Sequence, residues 1–246
     1  VIIAYWARLA MGDLHLTWHA LSEYDPGAKP RRAWSLVPVA PPQRTGATLT
    51  WATDALALSI TMQPCESPQE VTLLDAPAGI VRWRGETAAA RMQVARAGQA
   101  PFDGVGYAEC LTLTVPPWQL PIDTLDWGRW ISHDRMHSSI WFRWRGAHPT
   151  VLVVEDGHAA ADAVIDGTTV STATATLDIQ PSRLLERRHL GEIVSPIPLL
   201  TRVLPQSLLA LEESKWLGHG TRRDRTGATH DGWAVFETVH FRHSNA

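Results

Sequence analysis

Residues 104–118 read Gly104-Val105-Gly106-Tyr107-Ala108-Glu109-Cys110-Leu111-Thr112-Leu113-Thr114-Val115-Pro116-Pro117-Trp118. Alternate positions sort cleanly: Tyr107, Glu109, Leu111, Leu113 and Val115 on one face, Ala108, Cys110, Thr112 and Thr114 on the other. That period of two belongs to a β-strand, and the two prolines end it. Glu109 is the anomaly on the apolar face. Burying a carboxylate costs several kcal/mol unless it is paired or protonated, so Glu109 predicts an ion pair or a group tuned for proton transfer. Tyr107 points the same way and can hydrogen-bond a common ligand. Two plainer readings stay open: an inter-strand salt bridge with Arg129 or Arg143, and an apolar face that is turned outward. Glu237, between Val235 and Val239 on the face led by Trp233, poses the same question.

The same period extends through the rest of the chain. It recurs in Leu14-x-Leu16-x-Trp18, Leu56-x-Leu58-x-Ile60-x-Met62, Ala88-x-Ala90-x-Met92-x-Val94, Ile140-x-Phe142-x-Trp144, Val151-x-Val153 and Trp233-x-Val235-x-Glu237-x-Val239-x-Phe241. Residues 168–176 are rich in β-branched side chains. About ten strands follow. Breakers lie between them, among them Asp25-Pro26-Gly27, Pro41-Pro42, Ala76-Pro77-Ala78-Gly79, Asp156-Gly157, Asp166-Gly167 and Asp231-Gly232. Helical signals are confined to Ser182–Leu190, with Ser182 as cap and Glu186 near the capping-box position. Short strands without long helices predict an all-β barrel or sandwich. Val81-Arg82-Trp83-Arg84-Gly85 returns as Phe142-Arg143-Trp144-Arg145-Gly146, a possible trace of duplication that divides the chain into two β units, 1–100 and 101–246. Their arginines read as solvated strand faces.

Composition excludes several classes. With 246 residues, 45% apolar and 19% charged, the chain is neither disordered nor membrane-spanning, and no apolar run reaches the roughly 18 residues of a span. A net charge of −3 provides no basic field for nucleic acid or anionic lipid. Cys65 and Cys110 are too few for a disulfide framework and read as buried thiols in a reducing, cytoplasmic setting. The chain opens Val1-Ile2-Ile3 without a basic n-region, so no secretory signal is expected, and the missing Met leaves room for a preceding leader or strand. Neither the Gly104-Val105-Gly106 pair nor any other segment makes a nucleotide fingerprint, and no nucleophile elbow is present. His133-Asp134-Arg135-Met136-His137 has metal-ligand spacing only on a helix; between two strand patterns it is expected to be a solvated loop, so no metal is expected. His219, His230, His240 and His243 show no ligand spacing. Twelve Trp against 4 Phe and 3 Tyr fit either an ordinary β-core or the lining of an apolar site.

Gly106-Tyr107-Ala108-Glu109, the following Pro116-Pro117-Trp118, Leu125-Asp126-Trp127-Gly128-Arg129, Ile140-Trp141-Phe142-Arg143-Trp144 and Gly232-Trp233-Ala234-Val235-Phe236-Glu237 together resemble the lipocalin-like carotenoid hydratases and their related cyclases and Diels–Alderases. The likeness covers roughly residues 80–241. It implies two lipocalin-like β-barrel or sandwich units, the first short or incomplete, around an apolar cavity, acting on a terpenoid, polyene or polyketide without a redox cofactor. On that reading Glu109 is the acid, Tyr107 orients, and Trp118, Trp127, Trp141, Trp144, Trp233 and Glu237 line the substrate. A pericyclase working by preorganisation and a carrier of an apolar ligand are the alternatives. The expected partner is an apolar small molecule, with no nucleic acid and no stable membrane insertion; the oligomeric state is unknown.

Overall fold

The computed structural model describes residues 1–63, 68–195 and 197–241. Cys65 and His243 lie outside the described residues. Among the described residues the chain is built of antiparallel β-sheet with three α-helices of four to six residues, as the period-two patterns predict. No helix among the described residues is long and apolar enough to cross a membrane.

Two compact units each take two segments of chain: residues 1–67 with 90–107, and residues 68–89 with 108–246. The first contains β1 (Ile2–Met11), β2 (Leu14–Glu23) and β3 (Arg31–Ser35) as one sheet. It also contains β4 (Gln43–Thr45), β5 (Thr48–Thr53) and β6 (Leu58–Gln63), the last paired with the later half of β8 (Gly79–Arg96), after β7 (Gln69–Ala76). Leu49, Trp51, Leu58, Ile60, Met62 and Val94 are among its buried apolar positions. They alternate along β5 and β6 because one face of that pair is covered. His19 is fully buried here, with Nε2 3.0 Å from the Thr53 hydroxyl and the Trp51 ring edge-on to it.

The second unit holds β7 paired with the earlier half of β8, the end of β9 (Phe102–Leu113), and a nine-stranded sheet. The remaining strands are β10 (Ile122–Ser132), β11 (Ser138–Gly146), β12 (Thr150–Glu155), β13 (His158–Ala159), β14 (Val164–Asp166), β15 (Thr169–Ser171), β16 (Ala175–His189), β17 (Glu212–Asp224) and β18 (Thr229–His240). Their order is β13-β12-β11-β10-β18-β17-β16-β15-β14. The sheet rolls until its far strands share a core: Val153 of β12 packs with Ile165 of β14 and Val170 of β15, together with Trp130, Trp141, Leu177, Ile179 and Ala234. Arg143 fastens this closure by donating to Asp126 on β10 (2.8 and 3.0 Å) and to the Ile165 carbonyl on β14. It is therefore a tether inside the unit and not a solvated arginine, whereas Arg82, Arg84 and Arg145 are exposed. The other face of the sheet carries a second core, Trp83, Ile122, Ile140, Phe142, Trp144 and Val154 among others.

Three local expectations are corrected. Residues 182–189 continue β16, because pairing with β17 from Ala175 to His189 satisfies more backbone groups than two isolated helical turns. Asp231-Gly232 lies within β18, and the turn falls at Asp224–Ala228, where the Asp224 carboxylate accepts from the Thr226 and Ala228 amides. Cys110 is exposed, not buried. Glycine also has a structural use: the Trp141 ring and the Phe236 Cβ lie where a Cβ on Gly128 would stand.

Two outcomes follow. Gly128→Ala should cost about 1–3 kcal/mol by overpacking, while Gly104→Ala, whose Cβ meets open space, should stay within about 0.5 kcal/mol; urea midpoints measure both. Burial holds the His19 ring below its ordinary value of 6.5. The unfolded chain thus takes up that proton first, so stability is full above 6.5 and falls as pH drops from there toward the lowered value. His19→Gln should flatten that slope in urea unfolding at a series of pH values.

Candidate functional site

In an antiparallel sheet, residues directly opposite one another share a face. One such row crosses the second unit: Glu186, Lys215, Glu237, Trp127, Phe142 and Leu152, each opposite the next. Three charged groups thus lead into two aromatics and a leucine. The neighbouring row runs Arg188, Glu213, Val239, Leu125 and Trp144. Arg129, two positions from Trp127, stands on the same face.

The charged side chains of these rows are deeply buried. Lys215, only 2% exposed, donates to Glu237 Oε2 at 2.8 Å and to Glu213. Arg188 Nε is 3.1 Å from Glu186. Arg129 lies with its guanidinium carbon 5.3 Å from the centre of the Trp127 ring, and with Nη1 3.7 Å from Glu109 Oε1. The Trp83 indole N–H donates to Glu109 Oε2 at 2.8 Å. Trp83 and Trp127 both contact Phe142, at 5.4 and 5.0 Å between ring centres. The Trp127 indole N–H is buried and has no hydrogen-bond partner among the described residues.

Burial pushes the Glu237 carboxyl up, and the neighbouring Glu213 charge adds to this, while Lys215 and Arg129 only partly offset it. For Glu213, burial acts in the same sense but is outweighed by Lys215, by hydrogen bonds from Lys215 and Glu237, and by Arg188, so its carboxyl is held down. Two neighbouring carboxyls are thereby driven apart.

The residues singled out from sequence are distributed as follows. Glu109 is embedded as its alternation suggested and it meets Arg129, one of the two arginines named for it; Arg143 is engaged elsewhere. Its strand is not a buried wall, since Leu111 is 42% exposed. Tyr107 is half-buried two residues earlier on β9. Trp127, Trp144 and Glu237 share the face just described. Trp141 belongs to the opposite face and the other core. Trp118 is half-buried on the 3-10 turn Pro117–Gln119. Trp233 is 51% exposed and lies against the rings of His219 and His133. Sequence reasoning missed Lys215, Glu213, Glu186 and Arg188.

His133–His137 forms the turn between β10 and β11, where Arg222 Nη1 lies 2.7 Å from His137 Nδ1. Among the described residues, no group of three or more His, Cys, Asp and Glu is arranged to hold a metal ion.

No known family signature matches the chain, and no curated protein matches it significantly in sequence. Solved structures do match. A putative AttH from Nitrosomonas europaea superposes with a TM-score of 0.58 at 11% identity, covering 98% of this chain and 87% of its own. Kievitone hydratase from Nectria haematococca gives 0.57 at 7% identity, covering 97% and 83%. CghA with Sch210972 gives 0.51 at 10%, covering 92% and 84%. The chain has a lipocalin-like all-β fold.

Removing the cation tests the cluster. Lys215→Met should destabilise by about 3–5 kcal/mol at neutral pH, because it leaves the Glu213 charge buried without its ammonium. The loss should shrink as pH falls and the carboxyls take up protons. Thermal and urea unfolding across pH would show it; a pH-independent loss would mean the ammonium's charge is not what matters there.

Proposed function

We propose that this protein is a cofactor-independent enzyme that takes an apolar unsaturated small molecule, a terpenoid, polyene or polyketide, and assists its hydration, isomerisation or cyclisation with a proton from a buried carboxyl group. The observation that carries the reading is the row from Lys215 and Glu237 to Trp127 and Phe142. It sets ionisable groups against aromatic ones inside a core, with Glu109 and Arg129 beside them. Such groups are costly to bury and are concentrated where chemistry uses them. The hydratase among the solved structures of this fold agrees with it.

The chemistry runs through the chain's own residues. A carboxylic acid gives its proton to one carbon of a double bond, whose π pair forms the new C–H bond and leaves a cation on the other carbon. Loss of a neighbouring proton to a carboxylate completes double-bond migration. Attack by water, with its proton taken by the carboxylate, completes hydration; attack by a second double bond closes a ring. The site supplies both forms of a carboxyl, which is what acid and base roles require. Glu109 is assigned the reactive carboxyl at the Trp83 and Arg129 side, with Tyr107 positioning the substrate. The Trp127 N–H is available to a substrate oxygen. Trp118, Trp144 and Trp233 are assigned to the substrate's walls, and Trp141 to the core behind them.

Glu109→Gln keeps the shape and removes the ionisable group, so turnover of the substrate should fall by about 10²–10⁴ with ligand affinity retained. Tyr107→Phe should cost less. Native mass spectrometry of the purified protein, searching for a co-purified apolar compound, supplies the substrate to assay. A variant that turns over normally points to a pericyclase working by preorganisation alone; a bound compound never converted points to a carrier.

A further inference from the structure

Lys215 Nζ holds both Glu213 and Glu237, lying 2.8 Å from Glu237 Oε2. One ammonium balances one carboxylate, and a second carboxyl buried beside it is costly to ionise and favours keeping its proton. The surroundings of Glu237 point the same way. Glu237 on β18 has Glu213 and Lys215 on β17 and Arg129 on β10 near it, with Glu109 on β9 beyond Arg129, while Glu186 and Arg188 on β16 pair with each other behind β17. Burial outweighs the two cations near it and raises the Glu237 carboxyl.

We propose that Glu213 and Glu237 form a proton-sharing pair bridged by Lys215, that the proton resides on Glu237, and that Glu237 is the proton donor in the reaction proposed above. The donor role rests on that reading; the shared proton does not. Glu237 is the better placed of the two. It stands directly opposite Trp127, where the row passes from charged to aromatic side chains, whereas Glu213 faces Arg188 and Val239. Glu213 is also the one held as a carboxylate, by Lys215 and Arg188. Proton balance closes within the cluster. Glu237 gives its proton to the substrate carbon and becomes a carboxylate beside Lys215 and Arg129. The proton later released by water or by the substrate goes to the Glu109 carboxylate. Exchange with solvent protons then returns Glu109 to carboxylate and Glu237 to acid. This arrangement gives the two carboxyls on either side of Arg129 opposite protonation states, the condition for acid and base to act in one turnover.

Infrared spectroscopy of protein labelled with ¹³C-carboxyl glutamate reads the proton directly. The folded wild-type chain should show a protonated-carboxyl C=O band at neutral pH, far above where ordinary glutamates titrate. Glu237→Gln should remove that band, with little loss of melting temperature, because a neutral amide replaces a neutral acid. Glu109→Gln should keep it. Glu213→Gln should lose far more stability than Glu237→Gln, since it removes the charged partner of Lys215. A wild-type spectrum without the band at neutral pH overturns the shared proton, and this needs no variant to fold. A band that persists undiminished in Glu237→Gln overturns its placement. With a substrate in hand, loss of the band while turnover stays within twofold of wild type overturns the donor role alone. If no compound is ever converted, the functional reading fails and the infrared result still decides the pair.

Discussion

A single ammonium group sets the terms for the second unit. Lys215 is almost wholly withdrawn from water in the middle of a β-sheet, where an isolated charge would cost far more than a domain's whole stability margin. It is tolerated because Glu237 stands opposite it on β18 and Glu213 two residues away on its own strand. That requirement fixes register. A slip of one residue between β17 and β18 would turn Lys215 and Glu237 to opposite faces, so their pairing holds the two strands in one alignment. Buried ion pairs add little net stability compared with apolar packing, and their use here is better understood as specification of strand pairing.

The two faces of the sheet have different tasks. The inner face is closed by Trp130, Trp141 and the small residues they rest on. Trp130 lies where Cβ atoms on Gly220 and Gly232 would intrude, and its indole N–H donates to the Gly220 carbonyl at 2.9 Å. That core is apolar, and it makes the scaffold. The outer face mixes Arg129, Glu237 and Lys215 with Trp127, Phe142 and Trp83, and so concentrates reactive groups on a rigid support. Arg129 connects the parts, since its guanidinium lies over Trp127 and within ion-pair range of Glu109.

Much of this fold was legible because a half-covered strand writes its burial into alternate residues. Ile140, Phe142 and Trp144 all fall in one core, as their spacing required, and both copies of the repeated Arg-Trp-Arg-Gly segment bury their tryptophan, Trp83 and Trp144, there. Glu109 and Glu237 were found by the same logic, as charges on apolar faces. Arg129 was named for Glu109 and meets it, but the partners of Glu237 were not found. Lys215 was noticeable as one of two lysines among twenty arginines, and Glu213, Lys215 and Leu217 alternate, but residues 212–224 alternate charge with glycine and histidine and give no apolar stripe. Register between strands far apart in sequence cannot be read from either one alone. Residues 182–189 misled for a related reason: a local capping pattern carries about 1 kcal/mol, and the ladder to β17 outweighs it. The interleaving of two units through β8 and β9 has no local signature, because both strands read as continuous.

The central claim is that this buried cluster holds one proton more than a set of fully ionised side chains would. Neutron diffraction from a deuterated crystal near pH 7 locates that proton most directly. Deuterium between the Glu213 and Glu237 oxygens, bonded to Glu237, with three deuterons on Lys215 Nζ and none on Glu109, is the predicted result. Two bare carboxylates flanking Lys215 would contradict it.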